Sequence, residues 1–112
     1  MIEYVPKRGD LIYVDFDPQT GHEQRGRRPA IVLTPYEYNR KTSLALVCPI
    51  TSKVKGYPFE IKLPSHTKIQ GVVLTDHLRN LDWRARNATF IEHSGDTITK
   101  HISQIILALL DQ

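Results

Sequence analysis

The chain has 112 residues, enough for one domain built around one core. Apolar residues make up 40% and charged residues 24%, a balance that excludes a disordered chain and describes a soluble globular one. A formal net charge of +3 and a pI near 9.1 permit a polyanionic partner without requiring one. No apolar run approaches the roughly 18 residues of a membrane span, so no membrane is expected. The opening Met1–Pro6 lacks a basic segment followed by an apolar stretch, so no signal peptide is expected. The single cysteine, Cys48, cannot form an intrachain disulfide, which fits a reducing compartment, most simply the cytoplasm.

Asp10 to Asp17 alternates, with Ile12, Val14 and Phe16 on one face and Leu11, Tyr13 and Asp15 on the other, and predicts a strand. The apolar run Ala30 to Leu33 suits a strand buried on both faces. A short helix is predicted from Tyr36 to about Arg40. Leu44 to Cys48 repeats the buried-strand pattern, with strand character reaching Ser52. Phe59 to Leu63 alternates cleanly, and Val72 to Leu74 and Ala88 to Ile91 add two further strands, with a short helix expected near His77 to Leu81. Ile98, Ile102, Ile105, Ile106, Leu109 and Leu110 recur at helical spacing, with Ser94 or Asp96 as the expected N-cap. Six short strands with Pro and Gly punctuation and a helical tail predict a mainly β fold, a small barrel or sandwich with a C-terminal α-helix. No repeat or linker divides the chain, so residues 1–112 are expected to form one domain.

Two connections carry the candidate chemistry. Pro18 to Arg28 is long for a hairpin loop, where roughly 2–5 residues are usual. It holds His22, Glu23, Gln24, Arg25, Arg27 and Arg28. A base, a carboxylate and a permanent cation so close together suit RNA cleavage by the substrate's own 2′-hydroxyl. That reaction needs a proton acceptor, a proton donor and stabilisation of the phosphorane. Arginine's planar fork matches two phosphate oxygens. Solvation alone also accounts for a surface loop of this composition. The second connection, Lys53-Val54-Lys55-Gly56-Tyr57, adds two cations and an aromatic ring. Thr51 and Ser52 end the preceding strand with hydroxyls that could donate to phosphate or satisfy a turn. Asp76 and His77 could orient a proton-transfer group or cap a short helix. Tyr57, Phe59 and Trp83 could stack on unpaired bases, although a lone Trp more often anchors a core or an interface. Arg84 and Arg86, if on a strand, would share one face, as a phosphate track or as an exposed edge. The histidines lack ligand pairs at structural-zinc spacing, and one cysteine cannot build a thiolate site, so no metal and no cofactor is expected.

Taken together, Gly9-Asp10-Leu11-Ile12-Tyr13-Val14-Asp15-Phe16-Asp17-Pro18, Gly21-His22-Glu23-Gln24 and Arg28-Pro29-Ala30 resemble the opening of the MazF/PemK toxins. The likeness continues through Asn39, Pro49-Ile50-Thr51-Ser52, Lys55-Gly56-Tyr57-Pro58-Phe59, Gly71-Val72-Val73, Asp76 and Trp83-Arg84-Ala85-Arg86, over nearly the whole chain. The resemblance implies an SH3-like β-barrel with a terminal helix, a fold shared with the CcdB toxins. It also implies the toxin of a type II toxin–antitoxin system, a homodimer. Such a toxin cuts single-stranded RNA at short words without metal, leaving a 2′,3′-cyclic phosphate and a 5′-hydroxyl. An acidic antitoxin peptide laid across the RNA groove would inhibit it. The implied catalytic residues are Arg28, Thr51, Glu23 and His22. The resemblance also matches Asp76 to the downstream Asp of the PemK branch, and the expected RNA contacts are Gln24, Arg25, Arg27, Ser52, Lys53, Lys55, Tyr57, Asp76, His77, Arg84 and Arg86.

One departure limits the transfer. The PemK branch carries an Arg two positions before the Asp, where this chain has Leu74, so that branch's proton-transfer scheme does not carry over whole. Arg28 is then the main catalytic cation with Thr51 assisting. A guanidinium stays protonated and makes a poor base, which leaves Glu23 and His22 as the two choices. The Trp83 region and the terminal helix offer apolar surface for the expected two-fold contact. Two alternatives belong to other classes: a CcdB-like toxin that grips gyrase without chemistry, and an RNA-binding module without catalysis.

Overall fold

The alternation of β1 (Asp10–Asp15) sends its side chains to two different cores, and the next strands repeat the pattern. Leu11 joins Ile31, Cys48, Ile50 and Val73, whereas Ile12 and Val14 join Ala30, Val32 and Val47. A sheet buried on both faces needs continuous apolar strands. This explains the runs in β2 (Arg27–Val32) and β3 (Leu44–Thr51). The computed structural model describes residues 3–16 and 26–111.

All strand pairings are antiparallel. The remaining strands are β4 (Glu60–Lys62), β5 (Val72–Leu74), β6 (Arg79–Asp82) and β7 (Thr89–His93). The sheet runs β4-β5-β3-β2-β1-β7, with β6 also pairing with β3. The two end strands β4 and β7 do not pair, so the sheet curls as a small barrel does without closing through its ladders. β3 holds it together: Ile31↔Cys48 sets its register with β2, while on β6 and β5 the pairs are Leu44↔Asp82 and Ile50↔Val73.

One face is covered by α2 (Asp96–Leu110), which inserts Ile98 and Ile102 among Leu11, Ile31 and Val73. Each such fully buried side chain contributes about 1.5–3 kcal/mol. The other core closes on Trp83, which is 2% exposed. The Trp83 indole N–H donates to the Asn39 carbonyl of α1 (Tyr36–Thr42) at 3.0 Å. The Asn39 side chain is itself fully buried and binds Pro6 O and the Thr34 hydroxyl. Buried Asp10 fastens the start of the chain: its carboxylate accepts Tyr4 Oη at 2.7 Å and Lys7 N at 3.1 Å, and lies 3.0 Å from His93 Nδ1.

Four expectations are corrected. β2 begins at Arg27 rather than Ala30, so Arg27 and Arg28 stand on a strand and not in a loop. The segment expected to be helical near His77–Leu81 is a short 3-10 turn, Thr75–His77, followed by the seventh strand, β6. The N-cap of α2 is Gly95, because Ser94 Oγ is used in a bond to Gly9 O at 2.6 Å and Asp96 already lies in the first turn. Trp83 is a core residue, unavailable to a base or to an intermolecular contact. No helix among the described residues is long and apolar enough to cross a membrane.

Candidate functional site

Arg28 and Thr51 are brought together by sheet register. The β2–β3 ladder ends at Ala30↔Pro49, and Arg28 and Thr51 stand two residues beyond that pair on their respective strands. Both line one groove of about 490 Å³ together with Ser52, Lys53, Lys68 and Gln70. Among the described residues, no carboxylate lines this groove. Among the described residues, Arg28 is the one arginine whose guanidinium has no hydrogen-bond or ion-pair partner; every other has its charge committed elsewhere. An exposed guanidinium with no partner among the described residues, in a groove they line with further cations, is suited to an anion.

Thr51 is prepared to donate. Its Oγ1 accepts the N–H of Lys53 at 3.1 Å, which orients the hydroxyl and leaves its hydrogen for an acceptor in the groove. On its other side Thr51 pairs with Val72 of β5, and Gly71 presses against its carbonyl.

A second recess of about 200 Å³ shares Thr51 and Lys53 with the first and adds Lys55, Tyr57, Phe59, Glu60, Leu74 and His77. Tyr57 and Phe59 stack with centroids 5.2 Å apart and planes 14° from parallel. Glu60 holds the loop that carries them, its carboxylate accepting Gly56 N at 2.9 Å and Lys55 N at 3.2 Å. Buried Thr75 donates its hydroxyl to Phe59 O at 2.6 Å, fixing the inner ring from behind. The site therefore joins an anion groove to an aromatic platform across a shared Thr51–Lys53 ridge. Those are the two contacts a single strand of nucleic acid offers, backbone phosphate and unstacked base.

The expected residues divide accordingly. Arg28, Thr51, Ser52, Lys53, Lys55, Tyr57 and His77 converge on the two recesses. Asp76 stands beside His77, 3.7 Å from its Nε2, and outside both linings. Arg27 does not converge: alternation turns it away from Arg28, and it pairs with Asp15 at 3.0 Å and with Thr89 at 2.8 Å. Arg84 and Arg86 lie in a turn rather than on a strand. Arg84 stacks over Trp83 and binds Glu3 and Ser43, whereas Arg86 donates to the carbonyls of Asp15 and Phe16. Both do structural work there, which is why they form no phosphate track. His22, Glu23, Gln24 and Arg25 lie outside the described residues. Sequence reasoning missed Lys68, Gln70, Glu60 and Thr75 as parts of the site. Their roles depend on contacts between segments distant in the chain, and no local pattern marks them.

Beside this geometry, a model of the family described as "PemK-like, MazF-like toxin of type II toxin-antitoxin system" matches residues 7–110. The chain belongs to that family. The endoribonuclease toxin MazF of Escherichia coli strain K12 is 54% identical over 86 residues, 77% of each chain. The crystal structure of MazF from Deinococcus radiodurans superposes with a TM-score of 0.88 at 47% identity, covering 98% of this chain and 100% of that one. A MazE-MazF structure from the same organism superposes with a TM-score of 0.84 at 42% identity, covering 96% of this chain and 97% of the other. The family's architecture, a curled antiparallel sheet with a C-terminal helix, is the one found here. The relatives are named for RNA cleavage, and nothing among them favours the gyrase-gripping alternative.

Proposed function

We propose that this PemK/MazF-family toxin, acting as a single domain, is a sequence-specific endoribonuclease that cuts single-stranded RNA without a metal ion. The observation that carries the reading is that Arg28 and Thr51, on two neighbouring strands, line one groove whose described residues supply cations and no carboxylate. In the reaction the substrate's 2′-oxygen attacks the adjacent phosphorus and gives up its proton. The P–O5′ bond then breaks, and the leaving 5′-oxygen takes a proton. The products are a 2′,3′-cyclic phosphate and a 5′-hydroxyl.

Arg28 and Thr51 hold the non-bridging oxygens and stabilise the charge that builds on them, as preorganised donors in a rigid sheet do. Lys53 and Ser52 extend the phosphate contact. Tyr57, resting on Phe59, stacks on a neighbouring base while Lys55 and His77 reach its edge. Glu23 and His22 are the two choices for the base that takes the 2′ proton.

The MazE-MazF structures of the relative support a cognate antitoxin for this chain, with an acidic segment suited to the same basic groove. Leu107, Leu109 and Leu110 are 64%, 44% and 78% exposed at the end of α2, which supports a two-fold contact made by the helix. We place its action in the cytoplasm, where RNA and antitoxin meet it.

The test is incubation with a long end-labelled single-stranded RNA in excess EDTA, with the cut sites and end groups mapped. Cutting at a recurring short word with cyclic phosphate ends is the expected result. Failure of folded protein to cut varied sequence, or cutting only after a metal is supplied, would overturn the proposal.

A further inference from the structure

We propose that Lys68, with Gln70 beside it, forms a second phosphate subsite that binds the RNA backbone next to the phosphate held by Arg28 and Thr51; this rests on the endoribonuclease reading above. Both residues come from the connection between β4 and β5, and both line the Arg28–Thr51 groove. The connection alternates as a strand would. Thr67 is buried and Ile69 packs against the α2-side core, while Lys68 and Gln70 face outward. Side chains brace it throughout. The Thr67 hydroxyl lies within hydrogen-bonding distance of the Pro64 and Ile69 carbonyls, at 2.8 Å and 2.9 Å, and Gln70 Nε2 donates to Thr67 O at 2.9 Å.

The main brace comes from across the fold. Glu92 Oε2 accepts the backbone N–H of Lys68 at 2.7 Å and that of Ile69 at 3.1 Å. Glu92 stands on β7, the strand at the opposite end of the sheet order from β4. One carboxylate therefore ties together the two ends of a sheet that its ladders leave open. Its two acceptor bonds fix the backbone at Lys68, and charge-assisted bonds of this kind are the stronger ones.

The Lys68 ammonium lines the groove and has no hydrogen-bond or ion-pair partner among the described residues. Lysine acts on phosphate as a point charge. This wall carries no aromatic ring for a base, whereas the stacked pair lies in the other recess. The ligand is thus a phosphate of the strand and not a nucleobase. Glu92 is a positioning residue that acts through Lys68.

The experiment measures binding of a single-stranded RNA containing the cut word, made uncleavable by a 2′-deoxy sugar at the cut position, across a salt series, and cleavage of the all-ribose RNA in parallel. Lys68→Gln is expected to weaken binding about fivefold, as loss of one exposed charge contact does. It should also flatten the dependence of log affinity on log salt by about 0.7, the value for one phosphate contact on a single strand. The change should show in KM, and Lys68→Arg should restore it. Lys100→Gln removes the same charge from the exposed side of α2 and should leave the salt slope alone. Glu92→Ala should reproduce the Lys68→Gln defect and add nothing to it in the double variant, with Glu92→Gln milder. A wild-type slope in Lys68→Gln, or an equal change in Lys100→Gln, would overturn the subsite while leaving the nuclease intact. If wild-type protein neither bound nor cut the RNA, the endoribonuclease reading itself would fall, and the subsite with it.

Discussion

Gly71 lies with its backbone pressed against Thr51. A Cβ built on it would fall well inside van der Waals contact distance of the Thr51 carbonyl oxygen, 2.9 Å from the carbonyl carbon and 3.2 Å from Ser52 Cα. Its φ of +129° is itself a conformation that side-chain-bearing residues avoid. Gly71→Ala must therefore push Thr51 and the start of the Lys53 loop away from Arg28. A displacement near 1 Å costs on the order of a hundredfold in rate when geometry is the source of catalysis, so kcat should fall by about that factor. Gly95→Ala is the control: its φ is +97°, so it carries similar strain, but nothing lies within 4 Å of its Cβ. Both variants should lose thermal stability, and only Gly71→Ala should lose kcat. Equal kcat in the two would show that Thr51 needs no such placement.

Arg27 and Arg28 are neighbours with opposite roles. Arg28→Ala removes the guanidinium that has no partner among the described residues and should raise the barrier by about 3 kcal/mol, roughly a hundredfold in rate. Arg28→Lys should recover little, because an ammonium cannot span two phosphate oxygens. Arg27→Ala breaks the bridge to Asp15 and the bond to Thr89. That partly exposed pair contributes about 0–1 kcal/mol, so a small loss in melting temperature and a near-normal cleavage rate are expected. Single-turnover cleavage with melting curves on both variants separates the two outcomes.

That contrast also marks where the sequence stopped being informative. The apolar runs of β2 and β3, the alternation of β1 and β4 and the helical spacing of α2 were legible because each reports burial directly through its period. β6 was not. Arg79-Asn80-Leu81-Asp82 offers only one buried side chain, and its strand character comes from pairing with β3, a tertiary cause without a local trace. Arg27, Arg28, Arg84 and Arg86 were indistinguishable as letters. Their partners separate them: Asp15 and Thr89, none among the described residues, Glu3 with Ser43, and two β1-end carbonyls. Lys68 and Glu92, 24 positions apart, meet only because the sheet curls.

The aromatic recess makes a separable prediction. Stacking on an aromatic ring is worth about 1–3 kcal/mol per base, so Tyr57→Ala should raise KM five- to a hundredfold, about the ratio those energies imply. Glu60→Ala should have a smaller effect of the same kind, because the Lys55 and Gly56 amides it anchors would release the loop that presents the ring. Glu60→Gln, which keeps an acceptor oxygen, should lie between. Cleavage of an RNA library by each variant should show loosened sequence preference on the side of the cut that Tyr57 faces. Unchanged preference in Tyr57→Ala would assign base reading to other residues.

Asp15 gives a prediction in pH. The Asn87 side-chain amide, 2.9 Å from one carboxylate oxygen, and then Arg27, 3.0 Å from the other, hold its carboxyl below the ordinary carboxylate range, against partial burial that pushes it up. A carboxyl with a depressed folded-state pKa binds its proton more readily in the unfolded chain. Its stabilising effect is therefore complete above the unfolded value, about 3.9, and is lost as pH falls through the lower folded value. Asp15→Asn should melt below wild type near pH 7, and the gap should narrow steadily as pH is lowered below about 4. Melting curves of both proteins between neutral and acid pH measure that gap directly. A gap that stayed constant into acid would mean that Asp15 acts by shape and hydrogen bonding alone, and that its charge contributes nothing to fastening β1 to the turn at Asn87.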